Sequence, residues 1–130
     1  MVKVPSANGL QPLLFKRRWR NIREIPRHLT IPSTGGMRIL LERCGFSRLH
    51  HRGASLFEDA CMCGTTLYPW AIPYRNDAQV RNAAVRLFNL FIGAGLTYAS
   101  LPEAVLEAIA GRPSTIMVAA QRPAHPGARA

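Results

Sequence analysis

Near the carboxyl end, Ile116-Met117-Val118-Ala119-Ala120 forms an uninterrupted apolar run of strand length. A run without polar alternation belongs to a strand covered on both faces and paired on both edges. The remainder of the chain must therefore supply at least two more strands. Val2-Lys3-Val4 alternates apolar and polar side chains until Pro5 stops it. Phe46 to His51, with Arg48, His50 and His51, has the basic content of an edge strand. The expected sheet places Val2 to Val4 antiparallel on one side of Ile116 to Ala120 and Phe46 to His51 on the other.

The intervening segments read mostly as helices. Ser33 or Thr34 is placed to cap a helix with apolar positions Met37, Leu40, Leu41 and Cys44, which Gly45 ends in the left-handed conformation; Cys44 is assigned to the core. Asp77 is expected to cap a second helix whose stripe Val80, Ala84, Leu87, Phe88 and Phe91 faces the protein, with Arg81, Asn82, Arg86 and Asn89 turned away. Ser100 and Glu103 have capping-box spacing ahead of Ala104 to Ala110, and Gly111 and Pro113 stop that helix. Ser6 to Pro12 reads as a loop, and Pro26 and Pro32 limit Leu13 to Ile31 to a short helical turn and irregular chain. Gly53 to Tyr74 lacks a sustained period and reads as an irregular insertion anchored by Leu67, Tyr68, Trp70 and Ile72. One domain over residues 1–122 and a flexible tail over 123–130 follow.

Hydrophobic residues at 48% against 18% charged give a globular balance. No apolar run approaches the roughly 20 residues of a membrane span, and a signal peptide is absent from Met1 to Leu10, so the expectation is a cytoplasmic protein with no membrane partner. Three cysteines, Cys44, Cys61 and Cys63, are too few and too irregularly spaced for a disulfide framework or a paired zinc knuckle, and no metal site is expected. A net charge of +10 favours polyanionic partners. Lys16, Arg17, Arg18, Arg20, Arg23 and Arg27, interleaved with Phe15 and Trp19, have the composition of a surface for single-stranded nucleic acid. A small basic module for RNA or another polyanion is thus the alternative reading, although a solvated basic loop explains the same residues.

Several segments together resemble the C-terminal half of class I S-adenosylmethionine-dependent methyltransferases of the small-molecule and sugar-modifying type. Val2-Lys-Val-Pro-Ser-Ala-Asn8 is similar to that fold's fifth strand and the Pro-Asn loop after it, stretched here by Ser6 and Ala7. Trp19 with Pro26-Arg27-His28-Leu29 is similar to a Trp…Pro-x-His-Leu segment, and Met37 to Phe46 to a Leu-Leu-x-x-x-Gly-Phe helix-to-strand junction. Thr115 to Pro123 resembles the closing antiparallel strand. The resemblance implies an α/β chain carrying part of a Rossmann-like methyltransferase sheet, its last strand antiparallel, with flanking helices.

It also implies an absence. The methyl donor of this fold sits at the ends of the first strands, on a Gly-rich turn and an acidic ribose ligand. Neither is found: the one Gly-x-Gly, Gly93-Ala94-Gly95, follows a helical run, has Tyr98 where a third glycine would fall, and reads as a helix terminator. The expectation is a fragment that transfers no methyl group and binds no S-adenosylmethionine alone, completed by its missing N-terminal half or a cofactor-binding partner chain. Trp19, Arg27 and His28 are the candidate substrate-side residues, because they follow the carboxyl end of a strand; His28 could act as a base. The plainer reading packs Trp19 against the sheet edge and uses His28 to brace the loop. No catalytic or cofactor-binding residue is assigned.

Overall fold

The computed structural model describes residues 1–24, 28–53 and 55–121. Three strands, β1 (Val2–Pro5), β2 (Ser47–Gly53) and β3 (Thr115–Gln121), form one sheet in the order β1-β3-β2. β3 runs antiparallel to both neighbours, with Val2 opposite Val118, Val4 opposite Ile116, and Gly53 opposite Ile116 from the other side. The apolar run is central, as its composition requires. β1 and β2 consequently point the same way, and their carboxyl ends share one edge of the sheet. A register irregularity between Ser47 and His50 coincides with Arg48 at φ +51°.

One face of the sheet is covered by α3 (Thr34–Arg43): Met37 packs with Ile116 and Val118, and Val4 and Leu41 close the cluster. Ser33 caps this helix, its Oγ accepting from Gly36 N at 2.9 Å, and Gly45 ends it at φ +80°. Two expectations fail here. Cys44 is exposed, at the C-cap just past the end of α3 rather than on its packed face. On the opposite face of β3, Ala119 is exposed and Met117 half-buried, so only the start of that face, at Thr115, is fully covered. Continuous apolar composition reflected pairing on both edges more than cover on both faces.

The remaining helices are α1 (Leu10–Phe15), α2 (Arg20–Arg23), α4 (Leu56–Leu67), α5 (Pro73–Gln79), α6 (Ala83–Ala99) and α7 (Leu101–Ile109), with single 3-10 turns at Lys16–Arg18 and Pro69–Ala71. α1 takes up the last three residues of the expected Ser6 to Pro12 loop; Pro12 sits in its first turn, where its missing N–H breaks no helical bond.

The insertion expected to be irregular is instead α4, a 3-10 turn and α5. Ser55 caps α4 through Glu58 N at 3.2 Å, and Glu58 and Asp59 complement its positive end. Its buried face holds Asp59, Ala60, Cys63, Gly64, Thr65 and Thr66, so the helical period is written in polar and small residues.

α6 packs on α4, and its orientation inverts the expected one. The buried residues are Asn89, Gly93 and Thr97, while Leu87, Phe88 and Phe91 are 57%, 61% and 69% exposed. Gly93 lies inside α6 rather than ending it, and a Cβ there would stand 2.2 Å from Ala71 Cβ; a Cβ on Gly64 would stand 2.9 Å from Thr97 N. Gly64 sets the close approach of α4 to α6, Gly93 that of α6 to the Pro69–Ala71 turn, and the bulky stripe is left outside. Asn82, not Asp77, caps α6, accepting from Ala84 N at 2.9 Å. Ser100 does not form the expected capping box with Glu103: its hydroxyl donates to Leu96 O at 2.7 Å, and Gly111 at φ +63° follows the end of α7.

Within Ala83–Ile109 the most apolar stretch has a mean hydropathy of 1.3 and is 22% buried, enough by length and composition alone to cross a membrane, which the expectation of no such run had missed. The expected tail over 123–130 lies outside the described residues.

Candidate functional site

Two strand ends and two helices meet around Glu107 of α7, which is fully buried. Its Oε1 accepts from Leu10 N at 2.9 Å, from Gln11 N at 3.0 Å and from the Ser114 hydroxyl, and its Oε2 accepts from Ser114 N at 3.2 Å. One carboxylate thus caps the start of α1 from across the chain and fixes the turn into β3. Its placement rests on contacts about 100 residues apart, invisible to local pattern.

Asp59 of α4 and Glu103 of α7 lie beside it. Burial, followed by the charge of Glu107, pushes Asp59 up to about 7, with Thr115 and Lys3 acting in the opposite sense. The same two causes, in the same order, raise Glu103 to about 7. Gln11 ties them together, its Nε2 donating to Asp59 O at 2.8 Å and to Glu103 Oε2 at 3.3 Å. Asp59 Oδ1, Glu103 Oε1, Gln11 Oε1 and Thr115 Oγ1 are buried without a hydrogen-bond partner among the described residues. A proton on each acid converts an orphan acceptor into a donor, so both are held at the edge of ionisation near neutral pH. Burial likewise raises the Cys63 thiol, against a Ser100 hydrogen bond; this is an inert packing cysteine rather than a nucleophile.

Asp59 also lines a cavity of about 500 Å³ with His51, Arg52 and Gly53 of β2, Leu56, Ala108, Pro113 and Ile116. The cavity lies where β2 ends and β3 begins. A carboxyl titrating near 7 in its wall can accept a proton from a bound hydroxyl or amine and return it. Sequence reasoning missed Asp59 and Glu103 because their segment showed no helical period and Glu103 was taken for a cap.

Of the residues singled out from sequence, Trp19 is 1% exposed and its Nε1 has no partner among the described residues. Buried in this way, Trp19 presents no ring face for stacking bases, while the net charge and the basic run that prompted the nucleic-acid alternative are unaffected. His28 Nε2 stands 3.7 Å from Glu24 Oε2, and Arg20 Nε donates to Glu24 Oε1 at 2.7 Å, so His28 has the carboxylate neighbour that its sequence context did not reveal. Arg27 lies outside the described residues. Neither Trp19 nor His28 lines the cavity at the strand ends. Glu24 instead belongs to a second, smaller cleft of about 40 Å³, lined also by Arg18, Arg20, Arg23, Thr65, Thr66, Pro69, Ile72 and Arg75.

Among the described residues, no group of three or more histidine, cysteine or acidic side chains is arranged to hold a metal ion. No known protein family, curated protein or solved structure matches the chain.

Proposed function

We propose that this chain is the acceptor-side half of a class I methyltransferase-like fold, which holds the molecule to be methylated and depends on further polypeptide for the methyl donor. The observation that carries the reading is an antiparallel strand, β3, inserted between two strands that run the same way. That is the arrangement expected of the closing strands of this fold.

Two further features support it. The 500 Å³ cavity opens at the carboxyl end of β2, and Asp59 stands ready there as a proton acceptor for an acceptor hydroxyl or amine. In addition, β1 pairs on one edge only among the described residues, and Leu87, Phe88 and Phe91 leave an apolar stripe uncovered, as in a chain that buries more surface against another segment. The donor, S-adenosylmethionine, would supply the methyl group; the residues of this chain bind and orient the acceptor and take its proton.

Isothermal calorimetry tests the reading. The isolated chain should show no saturable binding of S-adenosylmethionine, since one wall of a pocket cannot offset the entropy lost on association. Saturable micromolar binding to a monodisperse monomer would overturn it.

A further inference from the structure

The basic segment after β1 does more than carry charge. Arg18, Arg20 and Arg23 converge with Arg75 of α5 on the 40 Å³ cleft, where Glu24 is the one acid lining it among the described residues. Four arginines and one acid around so small a cleft give it a net positive charge, which favours an anion there. The cleft has a built floor. Arg20 is two-thirds or more buried along its side chain, with 19% exposure, and is clamped by Glu24 Oε1 at 2.7 Å and Thr65 Oγ1 at 3.0 Å. Its backbone N–H donates to Thr66 Oγ1 at 3.2 Å, tying α2 to the end of α4. Arg75 is oriented from the other wall, its guanidinium 5.6 Å from the centre of the Trp70 ring. Arg18 and Arg23 are exposed and make no ion pair with any described residue, so their donors remain available.

Arginines near the end of α4 also complement the negative end of that helix, and Arg20, bound to Thr65 and Thr66 there, is placed to do so. Arg18, Arg23 and Arg75 come in addition to it. A buried water needs roughly 10–15 Å³ of such space, so the cleft holds about three waters, the bulk of one tetrahedral oxyanion. The hydroxyls of Thr65 and Thr66 donate to Cys61 O and Met62 O, both at 2.8 Å, which leaves the arginines as the donors and favours a dianion over a neutral guest.

The geometry points to a phosphate-binding site in this cleft, formed by Arg18, Arg20, Arg23 and Arg75 and suited to the terminal phosphate of a small phosphomonoester. It stands apart from the cavity at the strand ends and does not depend on the methyltransferase-like reading. A phosphodiester backbone offers the same oxygens with one charge per phosphate and no free terminus, so the two sources separate by experiment.

The full chain is titrated calorimetrically with inorganic phosphate, adenosine 5′-monophosphate, adenosine, and a single-stranded oligonucleotide without terminal phosphates. Phosphate and the nucleotide should bind one per chain, and adenosine should not bind. The double variant Arg18→Gln/Arg23→Gln, whose two side chains are exposed and unpaired among the described residues, should weaken nucleotide binding at least tenfold while leaving the circular dichroism spectrum unchanged. Arg43→Gln on α3 removes one charge outside the cleft and should change affinity less than twofold. The assignment is overturned if phosphate and the nucleotide fail to bind, if Arg43→Gln weakens binding as much as the double variant, or if only the oligonucleotide binds.

Discussion

Replacing Glu107 with glutamine tests whether one buried carboxylate organises the fold around the start of α1 and β3. Glutamine keeps the shape and one oxygen, so the three bonds to Oε1, from Leu10 N, Gln11 N and Ser114 Oγ, can persist as neutral ones. Neutral bonds are about half as strong as charge-assisted ones. The other oxygen becomes an amide nitrogen facing Ser114 N, donor against donor, and a buried donor left unpaired costs about 1–3 kcal/mol. Loss of the charge relieves Asp59 and Glu103, whose protonation it favours, and this offsets part of the loss. The net expectation is a destabilisation of about 2–4 kcal/mol, a large share of the roughly 5–15 kcal/mol available to a domain. In urea, with a slope of about 2 kcal/mol/M, the midpoint should fall by about 1–2 M at unchanged slope. Glu107→Ala, which abandons all four donors, should cost more than Glu107→Gln. A loss below about 0.5 kcal/mol for glutamine, or an alanine variant no worse than the glutamine one, would refute the account of Glu107 as the shared cap.

Two further expectations concern the same region and its neighbour. Because Asp59 and Glu103 ionise near 7 when folded and near 3.8 and 4.5 otherwise, the folded state holds more protons between those values, and stability should fall as pH rises from about 4 to about 7 and level off beyond. Urea midpoints across that range should show the slope, and Asp59→Asn should flatten it; a rising slope would contradict the burial of these acids. Gly93→Ala should destabilise the chain by about 1–3 kcal/mol, measured by thermal unfolding, since the new methyl meets Ala71 Cβ with no flexible side chain to give way.

Local chemistry alone determined the parts of the chain whose partners are prescribed by backbone geometry. Five consecutive apolar residues at Ile116 to Ala120 demanded a central strand, and the only segments with strand character took its two sides. Ser33 and Gly45 marked the ends of α3 because a cap and a left-handed stop are satisfied within a few residues. The tertiary structure decided which side of a helix faces inward. Periodicity identified Leu87, Phe88 and Phe91 as one stripe of α6, but α4 presents Gly64 and approaches so closely that only the Asn89, Gly93 and Thr97 side fits against it. The candidate site was decided the same way. Asp59, Glu103 and Glu107 resemble ordinary surface acids in sequence, and their burial, their raised affinity for protons and the cap on α1 arise only when segments about 50 to 100 residues apart close around them and exclude the water that would otherwise solvate their charge.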